Sequence, residues 1–501
     1  MARMIWRSTV FIHRYLGVAV GLLMLVWFVS GIVMMYVPYP DITGKERLQT
    51  LNPIPWGSCC SLEAQGVAVD EPIRGAQIAA IAGEPVLFLR PDGRPPRLSS
   101  LGPSGPSLDV DQAKADAVIA QAAPRILGST MKPVLRESIE RDQWTVGEVG
   151  AGNRPLFHYV FDDSARTHIY VSSTSGEIVL YTRGWQRFWN WFGSVPHWLY
   201  FTELRKDGAV WAQVIIWTSI VGGFLTALGL YLGIAQIKAN RRGRFSPYGG
   251  WFYWHHITGL VFGIVTLTWV VSGTFSMNPW GFLESEGGDE RIRVAGETLS
   301  WSALRTSIDA LKQNAPRSAV RLSAAPLDGK LFWIAYGADG SEMRLDAEGL
   351  PVSVTPTDLQ GAAQRLARDS TIESQEMMMG EDAYYYDFSV AERGDAPPFP
   401  AYRVVLNDAE HTRYYLSPET GQLLRTVDAN GRGSRWLFSG LHRFDFFAWL
   451  RVRPLWDIIV LALLLGGTAG TGTGVYLAYK RIKRDLGFKR RRVAPPLRSE
   501  A

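Results

Sequence analysis

The chain has 501 residues, a formal net charge of +5 and 12% aromatic residues, among them 19 Trp. That length leaves room for several domains, and the Trp content suits membrane interfaces, where indole rings sit between lipid and water. A mean hydropathy near zero excludes a run of back-to-back spans, and two cysteines, the adjacent Cys59 and Cys60, exclude a disulfide framework and four-Cys iron–sulfur ligation.

The first predicted element is an apolar stretch over roughly 15–37, preceded by Arg3, Arg7 and Arg14. It reaches the ~20 residues needed to cross a bilayer. It is too long for a signal peptide, and "YVPYPDITGK" after it offers no small-residue cleavage site. It therefore reads as a retained span within 1–38. A long polar region, 39–209, follows. In it "SLDVDQAKADAVIAQAAP" starts with a polar cap and keeps helical spacing. "HIYVSSTSGEIVLYT" is a hairpin of period-two strands around a Gly-containing turn. A strained vicinal disulfide at Cys59–Cys60 stays open; an incidental pair in a loop is the preferred reading.

A second span covers 210–235. The loop at 236–254 carries four basic residues and no acidic one. A third span at 255–278 leads into a second polar region, 279–454. There "PTDLQGAAQRLARDS" reads as a helix and "RYYLSPETGQLLRTV" as a hairpin. Weaker hairpins with Asp-Gly turns appear in "EPVLFLRPDGRPPRLS" and "KLFWIAYGADGSEMRL". The last span, 455–479, precedes the basic tail 480–501. Basic residues in short flanks mark the cytoplasmic side. Both termini and the loop are thus expected in the cytoplasm of a bacterial inner membrane, and both long regions in the periplasm. The lipid bilayer accounts for this charge, and no nucleic acid partner is expected.

The two halves repeat. At an offset of 242, His13 meets His255, Gly17 meets Gly259, Trp27 meets Trp269, Ser30-Gly31 meets Ser272-Gly273 and Met35 meets Met277. At 245, Pro155 meets Pro400, Tyr170 meets Tyr415, Gly176 meets Gly421 and His197 meets His442. Each half reads as span, external domain, span. The expected fold is an integral membrane α+β protein of four transmembrane helices. They form two parallel repeats related by a pseudo-two-fold axis along the membrane normal.

The repeated histidines fall into two layers, His13 with His255 on the cytoplasmic side and His197 with His442 on the outer side. A span of about 20 residues separates the layers by roughly 30 Å. Pairs therefore form across the axis, not within a half. Two imidazoles on facing helices suit the axial positions of a b-type haem, and no c-type CxxCH site exists. The Gly and Ser residues beside them leave room for a planar macrocycle. His256 competes with His255, because adjacent helical residues point about 100° apart. Its repeat partner is Arg14, a candidate propionate contact. Met35 and Met277 read as packing before ligation. His158, His168 and His411 lack repeat partners and are assigned no role.

The segments "HRYLGVAVGLLMLVWFVSGIVM" and "YVSSTSGEIV", with the later "LH" before a span, resemble the PepSY-associated transmembrane family. Four spans with two large PepSY-like regions, each helix plus antiparallel sheet, look like its inner-membrane reductases of ferric siderophores. That resemblance implies intertwined periplasmic domains, two b-type haems, and reduction of siderophore iron. The expected axial ligands to the haem iron are then His13, His255 or His256, His197 and His442. No fused reductase domain or dinucleotide-binding motif is visible. The electron donor is then a separate quinol or cytoplasmic reductase. Two alternatives are an electron-transfer subunit for another periplasmic acceptor, and a non-enzymatic PepSY-type sensor that binds peptides or proteases.

Overall fold

The computed structural model describes residues 2–60, 71–103, 108–147, 149–239, 245–285, 287–296, 299–386 and 397–491. The chain opens with helix α1 (Ala2–Met34), 33 residues long. Strands β1 (Pro72–Ile81), β2 (Glu84–Pro91) and β3 (Arg97–Ser100) follow. Helix α2 (Gln112–Leu127) is capped by Asp111, which accepts from the Lys114 N–H, and is closed by Gly128 at φ 72°. Strands β4 (Leu135–Ile139), β5 (Leu156–Val160), β6 (His168–Ser172) and β7 (Ile178–Thr182) lead to the short α3 (Ser194–His197) and the long α4 (Gly208–Ala239).

The second half runs in a similar order, with a broken first span and a short strand and helix added ahead of its three strands. Helices α5 (Gly250–Val261) and α6 (Gly263–Phe275) precede β8 (Leu299–Ser300) and α7 (Trp301–Asn314). Then come β9 (Arg321–Ala324), β10 (Trp333–Tyr336), β11 (Glu342–Leu345) and α8 (Pro356–Ala367). A capping box of Thr355 and Asp358 starts α8. Strands β12 (Ile372–Met378), β13 (Ala401–Leu406), β14 (Arg413–Leu416) and β15 (Leu423–Val427) lead to α9 (Leu441–Arg443) and α10 (Leu455–Arg491).

Helices α1, α4 and α10 are long and apolar enough to cross a membrane, and α5 with α6 makes a fourth span when the bent pair counts as one. The chain is a membrane protein of helices and antiparallel sheets. In the bundle α1 packs on α4 and α10, α4 on α6, and α5 on α10. Glycines let these helices approach. A Cβ at Gly467 would lie 2.3 Å from the Phe28 ring, and one at Gly466 would lie 2.2 Å from the Phe262 ring.

The third expected span is not one straight helix. Its two pieces bend by 62° at Phe262. Gly259 and Gly263 flank the break, and each Gly weakens a helix by about 1 kcal/mol relative to Ala. The Phe262 ring is seated on Gly466 of α10. The matching residue of α1, Val20, has no ring to seat, and α1 runs through unbroken.

Among the described residues the strands form three sheets. Two have four strands each, β4-β5-β6-β7 and β12-β13-β14-β15. The expected hairpins are β6–β7 and β14–β15, and their turns need Gly176 and Gly421 at φ 70° and 74°. The third sheet has the order β11-β10-β9-β1-β2-β3, with β8 also paired to β1. It joins the two long polar regions, with Ile78 of β1 opposite Leu322 of β9. Its core holds Ile78, Leu87, Leu304, Leu322 and Trp333, all fully buried, and the Trp333 indole donates to Ser307 Oγ at 2.8 Å.

Cys59 and Cys60 form a disulfide, against the preferred reading of an incidental pair. Cys59 is buried in this same core beside Trp56 and Ile73.

Candidate functional site

The outer histidines are carried on the short helices α3 and α9, not on the spans. His197 and His442 face each other with ring centroids 6.3 Å apart and planes at 74°. Each is pinned to the first span of its own half. His197 Nδ1 lies 3.1 Å from the Trp27 carbonyl and 3.1 Å from Ser30 Oγ. His442 Nδ1 lies 3.2 Å from the Trp269 carbonyl and 3.1 Å from Ser272 Oγ. A carbonyl oxygen only accepts, so Nδ1 carries the hydrogen and donates it. In a neutral imidazole Nε2 then keeps a lone pair.

The inner pair repeats this logic on other partners. His13 and His255 have ring centroids 6.3 Å apart and planes at 31°. His13 Nδ1–H donates to the Leu225 carbonyl of α4 at 3.2 Å, and His255 Nδ1–H donates to the Gly470 carbonyl of α10 at 3.2 Å. Leu225 and Gly470 are themselves related by the 245 offset. So are Gly229 and Gly474, where a Cβ would lie 2.8 Å from His13 Cε1 and 3.0 Å from His255 Cε1. No larger residue fits behind either ring without displacing it.

A cavity of about 800 Å³ opens onto the inner pair. That is within the range of small-molecule sites, roughly 300–1,000 Å³. Phe262 and Gly259 line one side, and Arg14, Lys480, Arg481 and Arg484 line its basic end.

His256 behaves differently. Its Nε2 donates to the Gly233 carbonyl at 3.0 Å, and its Nδ1 lies 2.9 Å from Ser246 Oγ. Both nitrogens are engaged and the tautomer is the opposite one. The structure pairs His255, not His256, with His13. Met35 is buried in a cluster with Phe28, Trp269, Val460 and Leu464.

His158 and His168 form a network that sequence reasoning passed over. His158 lies 2.9 Å from Glu137 Oε1 through Nδ1 and 3.0 Å from His168 Nδ1 through Nε2. Burial, helped by the Arg187 charge and His158, pushes His168 down to about 4. The matching positions in the second half are Arg403 and Arg413, so the 245 offset was present without the residue identity that would have flagged it. Ser30 and Ser272 were likewise visible as a repeat, but nothing in the sequence joined them to histidines 167 and 170 residues away.

No group of three or more His, Cys, Asp or Glu side chains converges among the described residues to hold a bare metal ion. Each imidazole pair supplies two nitrogen donors and no more. That donor set falls short of a four-ligand zinc site. It fits a haem, whose macrocycle brings the other four nitrogens and leaves two axial positions. A centroid separation of 6.3 Å accommodates one metal atom between the rings at metal–nitrogen bonds of about 2.0–2.1 Å. Trp27 and Trp269, whose carbonyls take the outer bonds, also bury indole Nε1–H groups that have no partner among the described residues. A bound acceptor group would satisfy such donors. Around His197, the rings of Trp189, Trp191 and Phe192 are exposed, a surface suited to the lipid headgroup region.

A model of the family described as PepSY-associated TM region matches residues 10–326. The match includes His13, His197 and His255 and stops short of His442. No curated protein matches the chain at a significant level.

Proposed function

The chain belongs to the PepSY-associated TM family, and on that premise we propose that it is a haem-dependent inner-membrane reductase of periplasmic ferric siderophore. The observation that carries this reading is the doubled imidazole pair, with all four Nδ1 atoms held by backbone carbonyls. His13 and His255 hold one b-type haem near the cytoplasmic side, and His197 and His442 hold a second near the outer side. Bound there, haem supplies a one-electron couple at each layer. The residues around it keep the imidazoles oriented. A quinol or a cytoplasmic reductase delivers electrons on the inner side. On the outer side one electron converts siderophore-bound Fe(III) to Fe(II). Siderophore oxygens hold Fe(III) far better than Fe(II), so the transfer loosens the metal and needs little acid–base machinery.

The test is a visible spectrum of the purified protein, oxidised and then reduced. Two non-covalent b-type haems per chain are expected. A colourless preparation from haem-replete cells would reject the reading and favour a peptide-binding sensor.

Orientation is checked separately. With parallel halves and both termini in the cytoplasm, a reporter active only in the periplasm is expected to work when fused after Gly340 and to fail after Tyr248. The opposite pattern would invert the two layers.

A further inference from the structure

The repeated Trp-x-x-Ser-Gly of α1 and α6 has a physical role that packing does not explain. Ser30 is 2% exposed and Ser272 is fully buried. Each hydroxyl spends its hydrogen within its own helix. Ser30 Oγ donates to the Val26 carbonyl at 2.6 Å, and Ser272 Oγ donates to the Trp269 carbonyl at 3.0 Å. Such back-bonding slightly destabilises a helix, so the serines are not there for helix stability. Only their lone pairs remain, and these face the Nδ1–H of His197 and His442.

We propose that Ser30 and Ser272 are positioning residues for the outer imidazoles, holding each in the Nδ1–H tautomer and raising its electron-donating strength at Nε2. Each outer Nδ1–H is shared between a carbonyl and a hydroxyl. The inner pair is less well provided. His255 has Thr473 Oγ1 at 3.3 Å beside its carbonyl. The matching position for His13 is Leu228, which offers no oxygen. The outer layer therefore has two short hydroxyl acceptors and the inner layer one longer one. Acceptors on the far nitrogen raise the basicity of a ligating imidazole. A more basic ligand favours the oxidised metal and lowers the potential of its couple. A low potential on the outer side is what reduction of a tightly held Fe(III) requires. The effect on potential rests on the haem reading; the effect on tautomer does not.

Two measurements on the full-length chain separate these parts. In haem-free protein labelled with 15N at histidine, the parent is expected to show protonated Nδ1 and bare Nε2 at His197 and His442. Ser30→Ala is expected to add the other tautomer, or exchange broadening, at His197 alone, and Ser272→Ala at His442 alone. Ser→Thr at either site should restore the parent signal. In haem-loaded protein the same Ala variants should raise the outer midpoint potential and leave the inner one in place. Unchanged tautomers with an unchanged outer potential overturn the proposal. A tautomer change in a protein that binds no haem keeps the positioning role and removes the haem reading instead.

Discussion

His13→Ala is expected to halve the haem content, from two per chain to about one, and to abolish the inner haem signal while the outer stays. The inner site has two nitrogen donors, so truncating one leaves a single axial ligand. The Leu225 carbonyl loses the imidazole donor but, lying inside α4, keeps its helical N–H partner. His255→Ala should do the same through Gly470. His256→Ala is the informative control, because both its nitrogens are occupied by Gly233 and Ser246. It should keep both haems. Quantifying haem per chain and following the inner couple in a redox titration checks all three variants. Loss of the inner haem in His256→Ala, with retention in His255→Ala, would reverse the assignment.

His442→Ala is expected to reduce ferric-siderophore reduction by the pre-reduced protein to background, while the inner haem stays reducible from the cytoplasmic side. His442 sits on α9, outside the spans, and its loss leaves His197 facing an empty position. The comparison requires a folded variant, since truncating a half-buried ring that packs against Phe438 and bonds Ser272 removes packing and a hydrogen bond, a cost on the order of 1–2 kcal/mol. Monodispersity and an intact inner signal establish folding first. A folded variant that reduces the siderophore as fast as the parent would show that electrons leave by another route.

Much of this was legible in the sequence for one reason: an internal repeat reports on residues that meet in space. His13 with His255 and His197 with His442 were paired from their offsets, and the structure brings both pairs to the same 6.3 Å. The local hairpins were legible too, because Gly176 and Gly421 mark turns within a few residues of their strands. What was not legible depended on distant partners. The bend at Phe262 needs Gly466, and nothing near Phe262 announces that contact. The choice between His255 and His256 needed the Gly233 carbonyl and the Ser246 hydroxyl in place. The joining of the two polar regions needed β1 to select β9 as its neighbour, a pairing between strands that alternate like any others. The Cys59–Cys60 bond was left open because adjacency alone does not decide whether the sulfurs meet.

The ladder between β1 and β9 also limits how the molecule can move. Membrane proteins made of two similar halves commonly carry solutes by rocking one half against the other. Here Gln77, Ile78 and Ala79 of one half are rungs on Ser323, Leu322 and Arg321 of the other. The fully buried Trp333 lies in the same sheet and closes its core. Rocking would have to tear that ladder and open that core at every cycle. The sheet is a cross-brace above the bundle, and it makes solute transport by alternating access a poor use of this architecture. A brace of this kind holds the two halves in one fixed arrangement, so that paired residues such as His13 with His255 keep a constant separation.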